Sequence, residues 1–234
     1  FGGAVILSGG LSKIGSGGGV SVLSGHSEST SSGMVEIKSS DADQTGKSGS
    51  FLIASGHSMG GTSGPIRIFT GDAYGGGHAS NILLHAGASK FQKAKSTEGG
   101  HILFRSGSVF DSDHSGGAVK ALSGRSGLSS SGNMVISTSN GEVSGGSGHV
   151  DLSTGNAKSS SSGNILVSSA ASSISSQIIF EVGQSNSIGE HVHLLAGNSI
   201  GKTGGTVNLS SGRSSRGNSG ELTFLSMNSK EGDT

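Results

Sequence analysis

The chain has 234 residues, of which 45 are glycine and only 30% are hydrophobic, so its composition argues against an ordinary globular core. The formal net charge is zero, with 15 basic and 15 acidic residues, which disfavours nucleic acid as a partner. The sequence has no cysteine for disulfides or zinc, and no apolar stretch approaches the roughly 20 residues of a membrane-spanning helix.

A unit of eight residues repeats along the whole sequence. It reads glycine, any residue, apolar, any, apolar, any, a small residue and commonly glycine, and its clearest copy runs from Gly18 to Gly25. We call this unit an octet, number its positions one to eight, and call the segment between two octets an arc. Fifteen octets begin at Gly2, Gly18, Gly33, Gly49, Gly64, Ser80, Gly100, Gly117, Gly132, Gly148, Gly163, Ser176, Glu190, Gly205 and Gly220.

The third and fifth octet positions are apolar in every copy. Two apolar residues separated by one variable residue have the period of two that is typical of a half-buried strand. One strand cannot bury its own face, so we expect neighbouring repeats to provide the opposing wall. The predicted structural core contains Val20, Val22, Val35, Ile37, Phe51, Ile53, Ile66, Ile68, Ile82, Leu84, Ile102, Phe104, Val150, Leu152, Ile165, Val167, Val207 and Leu209.

The spacing of the octets predicts an all-β fold, a parallel β-solenoid of about 15 short strands. The first five spacings are 16, 15, 16, 15 and 16 residues, which favours two strands per turn of about 31 residues. We expect residues 1–234 to form a single solenoid segment of a longer repeat protein, with a basic loop insert around 88–99.

The remaining octet positions predict corners and an outer surface. The seventh position is small, as in Ser24 and Ser106, and glycine at the eighth is expected to give the backbone freedom for a corner. The fourth position alternates between apolar residues such as Leu52 and charged residues such as Arg67, which predicts an exposed apolar stripe of the kind that marks an interface.

Residues 196–203, Ala-Gly-Asn-Ser-Ile-Gly-Lys-Thr, satisfy the loose form of the phosphate-binding P-loop. That loop needs a helix after its lysine and threonine, so that backbone amides meet the phosphate. Here Gly205 begins the next octet instead. We therefore expect no cofactor at this segment.

Two other patterns could hold a cation. His191 and His193 lie at the second and fourth positions of one octet, where both side chains should point to the same side. The paired acids Asp41 with Asp43 and Asp111 with Asp113 lie in arcs, but the nonapeptide of calcium-binding β-rolls is missing. We interpret both patterns as surface residues and predict no metal site.

The sequence also bears on modification and catalysis. Asn208-Leu209-Ser210 is a sequon that makes Asn208 a possible N-glycosylation site, and the serine-rich arcs could carry O-linked glycans if the protein is secreted. No acid or serine recurs with the histidines as a catalytic triad requires. We therefore predict no catalytic residues and no enzymatic activity.

The whole chain resembles the Ser/Gly-rich repeat proteins of stramenopile algae and their relatives. The likeness is carried by copies such as residues 147–155, Ser-Gly-His-Val-Asp-Leu-Ser-Thr-Gly. The resemblance implies cell-surface material, with the shaft of tubular flagellar hairs (mastigonemes) as one role. It brings no functional residues with it.

These observations predict a structural building block of an extracellular filament or cell-surface appendage, which assembles with itself through its outer faces. Its partners would be copies of itself or related repeat proteins, with no nucleic acid and no membrane span. The alternative is an adhesin-type or ice-binding β-solenoid module. Ice binding calls for a flat array of threonine, whereas the outward positions hold leucine, arginine, lysine, aspartate and histidine.

Overall fold

The computed structural model describes residues 2–43, 46–89, 98–110, 114–141, 145–158, 160–172 and 176–226. The chain divides into two units, Phe1–Ala121 and Leu122–Thr234, and the boundary falls inside the octet that begins at Gly117. Both units consist of the same two components, the octets and the arcs that join them.

The predicted parallel β-solenoid is wrong. The described residues contain no helix and no β-strand, and none of their hydrophobic side chains is buried. The eighteen side chains predicted to form the core, from Val20 to Leu209, are 48% to 69% exposed. The physical reason lies in the hydrogen bonds, because those between backbone groups of described residues either close the base of an arc or lie within one. None of them pairs the middle positions of two octets as a sheet ladder would.

The period of two is nevertheless present within the octets. Ile82, Leu83 and Leu84 are 50%, 86% and 59% exposed, so the third and fifth side chains share the better covered side. On the opposite side, the Nζ of Lys38 lies 3.0 Å from a carboxylate oxygen of Glu36, two residues earlier. Residues two apart thus lie on the same side of an octet, as predicted, although no sheet forms.

Seven arcs in the described part of the chain contain a sharp bend of three residues, and a serine comes directly before each bend. The serine hydroxyl accepts a hydrogen bond from a backbone amide two or three residues later, as in Gly15 to Ser12 at 2.9 Å and Gly61 to Ser58 at 3.0 Å. Such a bond satisfies an amide that the bend would otherwise leave to water. The capping serines are Ser12, Ser27, Ser58, Ser126, Ser185, Ser199 and Ser214.

Hydrogen bonds between backbone groups also close many arcs at their base. The amide of the first residue in an octet donates to a carbonyl oxygen at the end of the preceding octet, at 2.8 to 3.0 Å. The acceptor is the eighth residue of that octet, or at Gly10 the residue directly after it. The donor and acceptor pairs are Gly18 and Gly10, Gly33 and Gly25, Gly100 and Gly87, Gly117 and Gly107, Gly132 and Gly124, Gly205 and Gly197, and Gly220 and Gly212.

Close packing against a side chain accompanies six of the seven closed bases, Gly18 being the exception, and it also occurs at Gly49, Gly148 and Gly163. A β-carbon built on the first-position glycine would lie 3.2 to 3.7 Å from the seventh-position side chain of the preceding octet. The pairs are Gly33 with Ser24, Gly49 with Ser39, Gly100 with Ala86, Gly117 with Ser106, Gly132 with Ser123, Gly148 with Thr138, Gly163 with Thr154, Gly205 with Ala196, and Gly220 with Ser211. The seventh residue is therefore small because the next octet starts against it.

Glycine at the eighth position has a different environment from the one predicted. A β-carbon on Gly25, Gly87 or Gly124 would meet nothing within 4 Å, and these glycines do not have positive φ. Among the described glycines, positive φ occurs at Gly75 and Gly76, in the arc before Ser80. The expectation that the eighth glycine provides a special corner conformation is corrected accordingly.

The loop insert predicted around 88–99 lies partly outside the described residues, which exclude 90–97. Its base is described: the Gly100 amide donates to the Gly87 carbonyl oxygen at 2.8 Å. The insert thus begins and ends like the shorter arcs.

Candidate functional site

The third and fifth octet positions form the most regular chemical feature of the protein, and we call them the apolar face. In the octet that begins at Gly163, Ile165 and Val167 are 51% and 57% exposed, whereas Leu166 between them is 85% exposed. Octets in both units show the same order of exposure, with the fourth side chain more exposed than the third and the fifth. The side chains of the apolar face are therefore partly covered within the chain but remain available for contact.

Energetics favour covering this face. Burying one aliphatic or aromatic side chain stabilises a protein by about 1.5–3 kcal/mol. Each octet presents two such side chains, and the described part of the chain buries none of them. A second surface that covers several octets at once could therefore bind by apolar contact alone.

The fourth octet position is a less regular surface. Leu52, Leu83 and Leu103 are highly exposed there, but Arg67 and Lys120 occupy the same position in other octets. A partner that contacted this side of successive octets would meet charge and apolar surface in turn. The apolar stripe predicted from the sequence is thus exposed, but it is interrupted.

The arcs carry apolar residues that the sequence reasoning missed. Ile14, Met59, Leu128 and Ile200 lie within the bends that follow capping serines, and each is almost fully exposed. A signal for these bends exists in the sequence: a serine stands two residues after the glycine that opens the arc. That spacing could have identified the capped bends.

The P-loop-like segment has the geometry of an ordinary arc. The Lys202 amide donates to the Ser199 hydroxyl at 2.9 Å, and the Gly205 amide donates to the Gly197 carbonyl oxygen at 2.9 Å. The arc between Gly124 and Gly132 is capped and closed in the same way without any lysine. The match at 196–203 is thus explained by the repeat itself.

The two histidines of one octet do lie together. The ring centroids of His191 and His193 are 5.6 Å apart with an angle of 61° between the planes, an edge-to-face arrangement. Within the described ranges, no group of three or more His, Cys, Asp or Glu side chains could hold a metal ion. A metal bound here would have these two imidazoles as its protein ligands.

The other predicted polar positions are not brought into a site. The Asp43 carbonyl oxygen accepts a hydrogen bond from the Gly46 amide at 3.1 Å. The second pair, Asp111 and Asp113, lies outside the described residues. Asn208, in the sequon, is exposed at a fourth octet position.

Comparison of the chain with protein-family models, with curated proteins and with solved structures finds no match. Across the described part of the chain, no helix has the length and apolar character that crossing a bilayer requires. Conclusions about function therefore depend on the repeat and its geometry.

Proposed function

We propose that this protein is a structural building block of an extracellular filament or cell-surface appendage, and that it assembles with copies of itself through the apolar face. The observation that carries the proposal is the exposure of the third and fifth side chains in every described octet. A chain with so much repeated apolar surface gains stability when another surface covers it.

The regular spacing of the octets makes a second copy of the chain the best partner for the apolar face. Any copy presents pairs of apolar side chains about 16 residues apart in sequence, so contacts that form at one octet can recur at the next. The zero net charge adds no global repulsion between copies. Assembly by many equivalent weak contacts suits a mechanical role and needs no reactive group.

The resemblance to Ser/Gly-rich repeat proteins of stramenopile type supports the extracellular setting. The serine-rich arcs and the exposed Asn208 sequon suit a glycosylated surface protein. The shaft of tubular flagellar hairs is the specific structure that we propose on this basis.

The experiment compares a pair of adjacent charge substitutions. Ile165→Asp places a charge on the apolar face, and Leu166→Asp places the same charge on the opposite side, where the native leucine is 85% exposed. A carboxylate in an apolar contact is costly, so Ile165→Asp should weaken association and Leu166→Asp should not. Sedimentation velocity and negative-stain microscopy measure the outcome.

The expected result for the unsubstituted protein is concentration-dependent growth into filaments. Equal association of the two variants would reject the apolar face as the contact. Dispersed monomers of the unsubstituted protein at high concentration would reject self-assembly and favour the binding-module alternative.

A further inference from the structure

His191 and His193 lie outside the apolar face through which the protein is proposed to assemble. They flank Val192 at the second and fourth positions of their octet, and they form the only His-x-His sequence in the chain. Their rings lie edge to face with centroids 5.6 Å apart. Both side chains are exposed, so solvent ions can reach them.

The separation of the rings is close to that of two imidazoles on one metal ion. Zinc binds an imidazole nitrogen at about 2.0–2.1 Å, and the ring centroid lies roughly 1 Å beyond that nitrogen. Two imidazoles that bind one ion at a tetrahedral angle therefore have ring centroids about 5 Å apart. The observed 5.6 Å is only slightly longer. A shared ion therefore requires only a small approach of the two rings.

The local backbone supports this pairing. The octet that contains both histidines ends at Gly197, whose carbonyl oxygen accepts a hydrogen bond from the Gly205 amide at 2.9 Å. Ala196, beside that base, is half-buried, whereas most described residues are exposed. The octet is therefore held at its end, which limits the backbone ordering that a metal would have to impose.

We propose that His191 and His193 together bind a divalent cation of the imidazole-preferring class, Zn²⁺, Ni²⁺ or Cu²⁺. Neutral imidazole suits these ions, whereas calcium and magnesium prefer oxygen ligands. The two histidines provide the protein ligands, and water completes the coordination. The site does not depend on self-assembly, because both ligands belong to one octet of one chain.

The test is a titration of the intact chain with NiCl₂, followed by the nuclear magnetic resonance signals of the histidine rings and by calorimetry. Paramagnetic Ni²⁺ should broaden the signals of His191 and His193 before those of the other histidines. His191→Gln and His193→Gln should each weaken binding at least about tenfold, equivalent to about 1.4 kcal/mol.

His101→Gln is the matched control, since His101 also occupies a second octet position but has Leu103 at the fourth. It should leave nickel affinity unchanged. An equal loss of affinity in all three variants, or uniform broadening of all histidine signals, would overturn the proposal. Sedimentation of the variants without metal checks that assembly is unaltered, which separates a failed metal site from a failed filament proposal.

Discussion

Gly100 lies so close to Ala86 that a β-carbon on the glycine would be 3.2 Å from the alanine β-carbon. The Gly100 amide donates to the carbonyl oxygen of Gly87, the next residue, at 2.8 Å. The packing and the hydrogen bond therefore depend on the same approach of two backbone segments. This relationship explains why most octets begin with glycine. It also explains why the residue at the seventh position of the preceding octet is small.

Gly100→Ala should open the base of this arc. The added methyl group meets the Ala86 side chain, and the loss of one backbone hydrogen bond costs about 0.5–1.5 kcal/mol. The temperature dependence of the residue 100 amide shift measures whether that amide stays bonded. Gly87→Ala is the control, because a β-carbon there meets nothing within 4 Å.

The double variant Gly100→Ala with Ala86→Gly removes the opposing β-carbon. It should restore the hydrogen-bonded amide only in part, because the added β-carbon still lies 3.3 Å from the backbone nitrogen and oxygen of Gly87. The two substitutions should nevertheless not be additive. Purely additive effects would show that the contact between residues 86 and 100 does not govern the closure.

Ser126→Ala should loosen the bend between residues 127 and 129. The Ser126 hydroxyl accepts hydrogen bonds from the amides of Ser129 at 2.9 Å and Leu128 at 3.4 Å, and a net loss of about 1 kcal/mol is expected when it is removed. Amide hydrogen exchange at residues 128 and 129 measures the change. Ser130→Ala, at the residue directly after Ser129, leaves the Ser126 acceptor in place and should have no effect on exchange at 128 and 129.

The arc that follows Gly155 offers the reverse experiment. Ala157 stands two residues after that glycine, where other arcs have the capping serine. Ala157→Ser should introduce a cap and slow exchange of the residue 160 amide. Unchanged exchange in this variant would show that the position of the serine is not sufficient for capping.

The apolar face should be detectable with a dye. Because its side chains are exposed in the chain, the dispersed protein should bind 8-anilinonaphthalene-1-sulfonate, which fluoresces on apolar surface. The fluorescence per chain should fall as assembly covers the face, in parallel with the sedimentation change. Fluorescence that stays constant through assembly would contradict burial of the apolar face between copies.

Particular residues mark how far the sequence could predict this structure. The period of two was predictable, and the exposures of Ile82, Leu83 and Leu84 follow it. The common side of His191 and His193 was predictable for the same reason, since residues two apart share a side of an extended segment.

The pairing of octets was not predictable from the period, because apolar alternation specifies which side faces inward but not which surface it meets. The octet spacing predicts a strand ladder between octets, whereas the backbone hydrogen bonds of the described residues close the bases of arcs or lie within them. The serine caps at Ser12, Ser126 and Ser214 do not follow from the period of two, because they lie in the arcs and not in the octets. A local search for serine two residues after glycine would have found them.

The P-loop-like segment yields a last prediction, on nucleotide binding. Lys202 lies in a serine-capped bend, and its backbone amide already donates to the Ser199 hydroxyl. An octet, not a helix, follows at Gly205. Without amides aimed at a phosphate, the lysine alone provides only an exposed charge. ATP with magnesium should therefore leave the Lys202 amide signal unshifted, and Lys202→Ala should be indistinguishable from the unsubstituted chain in calorimetric titration. Arg125→Ala, in the arc between Gly124 and Gly132, is the control. Saturable ATP binding that is lost in Lys202→Ala but kept in Arg125→Ala would contradict the prediction, because it would show a phosphate site in the arc that contains Lys202.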